Sequence, residues 1–202
     1  MLNSPEATIK NFKKETIEAI VHKLNDLLKR SLTWDEREKT ISELNLNIAI
    51  MCLKSQNLER RIHGIKVIDD IIKEMKYQSS FNTSNFSASQ LIEWVRDNKV
   101  LDIVFNTKNN FHPQIVQRTN SIIEYLLIHK NFTEEDLNKI WDVSSQDEEI
   151  MKEVYKIIQY CSQLMPQEFI EKVLSKLNLS KQICPEEIDL LCGLGKAQKE
   201  ST

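Results

Sequence analysis

Leu58-Glu-Arg-Arg-Ile-His-Gly-Ile-Lys-Val-Ile-Asp-Asp-Ile-Ile-Lys-Glu-Met75 is the stretch that decides the fold. Leu58, Ile62, Ile65, Ile68, Ile72 and Met75 return every three or four positions, the spacing that stacks side chains along one face of an α-helix. Glu59, Arg61, Lys66, Asp70, Lys73 and Glu74 fall opposite them and read as a solvated side. Asn57 is placed to cap this helix, which should reach about Tyr77.

The same period recurs on both sides of this helix. Upstream, Thr33 followed by Glu36 is a capping-box pair, each group satisfying an amide left over at a helix start. It predicts a helix to about Lys54, with Ile41, Leu44, Ile48 and Met51 on one stripe and Leu46, Ile50 and Leu53 broadening it. Before that, a helix from about Thr8 to Arg30 would place Ile9, Phe12, Thr16, Ile20, Leu24 and Leu27 inward.

Downstream, Gln78 to Phe86 is polar and lacks helical period, so a surface loop is expected. Ser87 with Gln90 opens a helix ending near Asn98, and Val100, Leu101, Val104 and Phe105 suggest a short one after it. His112-Pro113 starts a long helix to about Lys130, with proline at its tolerated first position. Ile115, Val116, Thr119, Ile122, Ile123, Leu126 and Leu127 form its inward stripe. Thr133 caps the next helix, and Ser145 with Glu148 is read as opening a longer one through Cys161. Pro166 begins another. Pro185 starts a last short helix with Gly193 as its stop. Trp34, Trp94 and Trp141 each fall on an apolar side and are expected in the core.

Three glycines and four prolines in 202 residues are too few for turn-rich β folds and suit long helices. Helix pairs of about 35 to 45 residues, none able to cover its own stripe, point to an all-α, armadillo/HEAT-like repeat array. A compact irregular helical bundle is the alternative. The expected organisation is N-terminal repeats over 1–77, a loop over 78–86, C-terminal repeats over 87–195 and a polar, frayed tail over 196–202.

Little chemistry is legible. Cys52, Cys161, Cys184 and Cys192 lack a catalytic signature, and His22, His63, His112 and His129 are scattered. Cys184 and Cys192 lie eight apart without companion ligands, so neither a zinc site nor any cofactor is implied. Gly193-Leu-Gly195-Lys196 fails as a phosphate loop, with Ala197 where a hydroxyl should hold magnesium. Acidic runs at helix starts are explained by the helix dipole. Arg60, Arg61, Lys66 and Lys73 are the candidate interaction surface, for protein first and RNA or anionic lipid second. A formal charge of -3 speaks against a dedicated nucleic-acid binder. No apolar run is long enough to span a membrane, and the N-terminus lacks a signal-peptide pattern. Cysteines within apolar helical patterns suggest reduced thiols and a cytoplasmic protein, with the nucleus as a second compartment.

Particular strings add a resemblance. Leu58 to Ile72 resembles an arginine-containing helix in the non-catalytic region of very large ubiquitin-specific proteases of the fat-facets type. Leu91-Ile-Glu-Trp-Val-Arg-Asp-Asn-Lys-Val-Leu101, His112-Pro-Gln-Ile-Val-Gln-Arg118 and Phe132-Thr-Glu-Glu-Asp-Leu-Asn-Lys-Ile-Trp141 are similar to the segments that follow it there, in the same order. The likeness covers Asn57 to Leu164. It implies an armadillo/HEAT-like segment of a deubiquitinating cysteine protease, binding substrates, other proteins or the parent's own catalytic domain. The family's Gly-Asn-Thr-Cys nucleophile box and its histidine box have no counterpart here, so no catalytic residue carries over. A freestanding adaptor unrelated to ubiquitin is the competing expectation.

Overall fold

The computed structural model describes residues 13–78, 87–106, 112–145, 147–177 and 185–200, and every regular element among them is helical. Of the loop expected over 78–86, Gln78 instead ends a helix, and residues 79–86, like the inward Ile9 and Phe12, lie outside the described residues. Contacts divide the chain into two units, Met1–Ile103 and Val104–Thr202.

In the first unit, α1 (Lys14–Leu28), α2 (Trp34–Leu53) and α3 (Leu58–Gln78) are followed by α4 (Ala88–Asp97) and by α5 (Val100–Val104), which reaches the unit boundary. Thr33 and Glu36 close the expected capping box on α2, and Ser87 and Gln90 close the one on α4. α2 buries residues on more than one side, from Ile41 through Leu46, Ile48 and Cys52 to Leu53. Ile65, Ile68 and Ile72 of α3 are completely buried, as the period requires.

α1 is rotated from its expected face. Ile17 is the residue that buries, joining Ile48 and Cys52, with Val21 and Leu44 at the edge of the cluster. Ile20 and Leu27, expected inward, are 46% and 61% exposed. Two interleaved stripes share this helix, and α2 takes the one carrying Ile17 and Val21. Trp34 also departs from expectation at 51% exposure. It occupies the first residue of α2, where no preceding turn of helix lies beneath its indole.

The second unit holds α6 (Pro113–Gln117), α7 (Asn120–Ile128), α8 (Glu134–Ser144), α9 (Glu148–Cys161), α10 (Gln167–Lys176) and α11 (Pro185–Glu200), with a 3₁₀ turn at Ser162–Leu164. The long helix expected from Pro113 is broken in two. At Arg118 and Thr119 the amides bond three residues back instead of four, and the buried Thr119 hydroxyl donates to the Val116 carbonyl. That hydroxyl competes for a carbonyl the helix would use. The inward stripe survives the break, with every residue from Ile115 to Leu127 named above buried. Asp147, not Ser145, caps α9, accepting from the amides of Glu149 and Ile150. Ser145 instead ends α8, its hydroxyl donating to the Asp142 carbonyl. α11 is long and runs through Gly193 and Gly195, so Gly193 is not a stop and residues 196–200 are helical.

A fixed register links these helices. Tyr160 reaches Glu124, Lys152 pairs with Glu186, and a Cβ on Gly193 would strike Gln159. Those contacts stack α7, α9 and α11. On the other layer Phe132 meets Phe169 edge-on at 5.8 Å and Lys172 pairs with Glu134, joining the start of α8 to α10. All these partners stand 34 to 38 residues apart. One offset recurring in two layers is the signature of a helical repeat.

Candidate functional site

In the first unit, helices meet around open space and mixed charge beside α3. α3 begins where Ser55 accepts from the Asn57 amide and the Asn57 side chain accepts from the Arg60 amide at 3.1 Å. That cap fixes Arg60 in the first turn, on the side facing α1. α1 rests on α2 through Ile17 and leaves two adjoining cavities, of about 720 Å³ and 410 Å³. Ile17, His63 and Lys66 border both.

The two cavities differ in charge. Lys13, Arg60 and Lys66 border the larger, against Glu15 and Glu59, and Cys52 lies in its floor. The smaller is bordered by Glu18, Asp70 and Glu74 against Lys66, over an apolar floor that includes Ile41, Ile48 and Ile71. Burial, and then Glu38 and Asp70 close by, push the Glu74 carboxyl above its ordinary value. Burial also pushes the Cys52 thiol up, against the opposing pull of the Arg60 guanidinium. Cys52 and His63, well separated in sequence, thus border one cavity, but the thiol is held in its protonated, unreactive form.

The four candidate basic residues do not make one stripe. Arg60 and Lys66 border the groove. Lys66 is paired with Asp70 at 2.8 Å and Lys73 with Asp69, each one turn along the same helix. Arg61, expected on the solvated side, is only 3% exposed and is removed from any surface. One residue beyond Arg60 is a turn of about 100°, which carries its side chain into the protein. No run of acidic residues marks the acidic end, because Glu18 shares a cavity with Asp70 and Glu74 only once α1 lies beside α3. The alternative stripe Ile17–Val21–Leu24–Leu28 was the available signal.

Among the described residues no group of three or more His, Cys, Asp or Glu side chains is arranged to hold a metal ion, and no helix is long and apolar enough to cross a membrane.

Residues 39–188 match the family model described as the UBP24/USP9X/USP9Y ARM repeat. The chain is 23% identical to ubiquitin carboxyl-terminal hydrolase 9Y of Mus musculus over 152 residues, covering 72% of this chain and 6% of that protein. The Homo sapiens 9Y protein is likewise 23% identical over 146 residues, 69% of this chain and 6% of the relative. Ubiquitin carboxyl-terminal hydrolase 24 of Mus musculus is 26% identical over 120 residues, 59% of this chain and 4% of the relative. The chain therefore spans a small fraction of the relatives it matches. No solved structure matches.

Proposed function

The chain belongs to the UBP24/USP9X/USP9Y ARM repeat family, and we propose that it serves as a non-catalytic interaction segment of a large deubiquitinating cysteine protease. In this reading it binds partner proteins or positions substrates for a catalytic domain outside residues 1–202. The observation that carries it is the family match lying across stacked helices that repeat at offsets of 34 to 38 residues. Such arrays recognise other proteins through extended surfaces, not enclosed pockets. The groove beside α3 is the docking surface we assign, with Arg60 and Lys66 at its basic end. Cys52 and Cys161 are buried and Cys192 exposed, all three outside any disulfide, a usage that suits the cytoplasm or nucleus.

Two measurements test the proposal. A ubiquitin probe carrying a thiol-reactive terminus should leave every cysteine of the chain unlabelled, and stoichiometric labelling at one of them would make the segment catalytic. The isolated catalytic domain of the 9Y relative, or a ubiquitylated substrate of it, should be retained by the immobilised chain. Retention should weaken about tenfold or more on Arg60→Glu with Lys66→Glu, the effect of reversing charges at a docking site. Retention of single-stranded RNA or anionic vesicles, with neither protein retained, would move the function to those ligands.

A further inference from the structure

We infer that α1 is a displaceable occupant of the groove formed by α2 and α3, and that the groove's full occupant is an amphipathic helix of a partner protein with a basic residue where α1 has Glu18. This rests on the reading of that groove as a docking surface.

α1 is weakly held. Ile17 is its single buried residue among those described, against seven in α2. Lys13 offers its first turn no side-chain cap, and its last turn carries no basic residue. A helix of 15 residues has little stability apart from its packing. The two cavities bordered by Ile17 show how incompletely that packing fills the groove. α2 and α3 form a closed seam, because an added Cβ at Gly64 would lie 2.6 Å from the Ala49 carbonyl oxygen. The family match begins at residue 39, within α2, so α1 stands outside the matched repeat.

What α1 does achieve shows what the groove accepts. Ile17 and Val21, one helical turn apart, seat on Ile48, Cys52 and Leu44, the spacing of a helix docking in an apolar groove. The charge match is poorer. Three carboxylates, Glu18, Asp70 and Glu74, border the smaller cavity against one ammonium, Lys66, with His22 and His63 nearby. A helix with the same apolar pair and a lysine at the Glu18 position reverses the resident's contribution to that acidic end.

The test uses the full chain with Cys184→Ser and Cys192→Ser, which leaves Cys52 under α1 and Cys161 as an internal control in the second unit. Under native conditions a maleimide should label Cys52 at least about tenfold faster than Cys161, as local opening with little buried contact predicts. Ile17→Ala should speed Cys52 by about a further tenfold and leave Cys161 unchanged. Hydrogen exchange on the unsubstituted chain gives an independent reading, in which α1 amides exchange well before those of α2 and α3. A synthetic peptide of residues 14–28 carrying Glu18→Lys should bind more tightly than the native-sequence peptide. On binding it should slow labelling of Cys52 while speeding exchange in α1. Equal labelling of Cys52 and Cys161, with α1 exchanging alongside α2, would overturn displacement. Free opening of α1 with neither peptide bound would instead overturn the docking reading of the groove, and the inference with it.

Discussion

Gly64 has no room for a methyl group. Its missing Cβ would lie 2.6 Å from the Ala49 carbonyl oxygen and 3.0 Å from both Cys52 Cβ and the Leu53 nitrogen. Two of those three atoms are backbone, which cannot swing aside. Gly64→Ala should therefore cost about 1–3 kcal/mol, the usual range for overpacking. Gly195 is the control: a Cβ there meets nothing within 4 Å. Gly195→Ala should gain roughly 0.5–1 kcal/mol from helix propensity. Denaturant titration of the two variants should show opposite shifts, and equal effects would mean that α2 and α3 are not in backbone contact. Lys130 supplies a second residue-scale case. It sits at φ 55° just after α7. Its amide bonds to Leu127 and the next amide, of Asn131, reaches back to Leu126 at 2.7 Å. That pair of bonds requires a left-handed residue, a conformation glycine adopts without a Cβ penalty of about 1 kcal/mol. Lys130→Gly should raise the denaturation midpoint by a corresponding amount, and a lowered midpoint would show that the lysine side chain contributes more than its backbone strain costs.

Charge acts one level up, along α3. Burial, then Glu38 on α2 and Asp70 one turn back, push Glu74 above its ordinary value. The folded protein then holds that proton more tightly than the unfolded chain does. Stability accordingly falls as pH rises through the window from the ordinary glutamate value to the raised one, and the loss is complete above it. Glu74→Gln removes that loss. The variant should melt above the wild type at neutral pH and coincide with it in acid below the ordinary glutamate range. A gap that persists unchanged into acid would show that the side-chain amide, not the lost charge, is responsible. The elements themselves were largely legible in sequence where one residue type and one partner three positions on define a start, as at Thr33 and Ser87. α1 is ambiguous in sequence because its two apolar stripes are equally regular, and only packing on α2 selects Ile17 over Ile20. The break at Thr119 was hidden because its hydroxyl bond leaves the apolar period intact. Arg60 and Lys66 were recognisable as part of the candidate site, whereas Arg61 looked equivalent until helix rotation buried it. The acidic end depends on α1 and α3 lying side by side, and no local pattern in sequence encodes that.

Over the whole molecule, 27 basic and 30 acidic residues leave a net charge of only -3. Many are matched a turn away, as Lys66 is with Asp70, Lys139 with Glu135 and Lys152 with Glu148. A net charge this small gives little long-range attraction, so the proposed docking would rest on the shape and local chemistry of helix faces. The second unit shows how such faces are held. α9 packs against α7 on one side and α11 on the other, and each contact joins neighbours in the stack. Stability in this arrangement approximates a sum of nearest-neighbour terms, so a defect at one seam should stay near it. Leu194 provides the place to create one. It is completely buried in α11, and Leu194→Ala is expected to cost about 2–5 kcal/mol through the cavity it leaves. In hydrogen exchange the loss of protection should concentrate in α11, while α8 and the buried Ile122–Leu127 segment of α7 keep theirs. If protection falls equally through all of them, the unit opens as one cooperative body and its repeats do not act as separate layers.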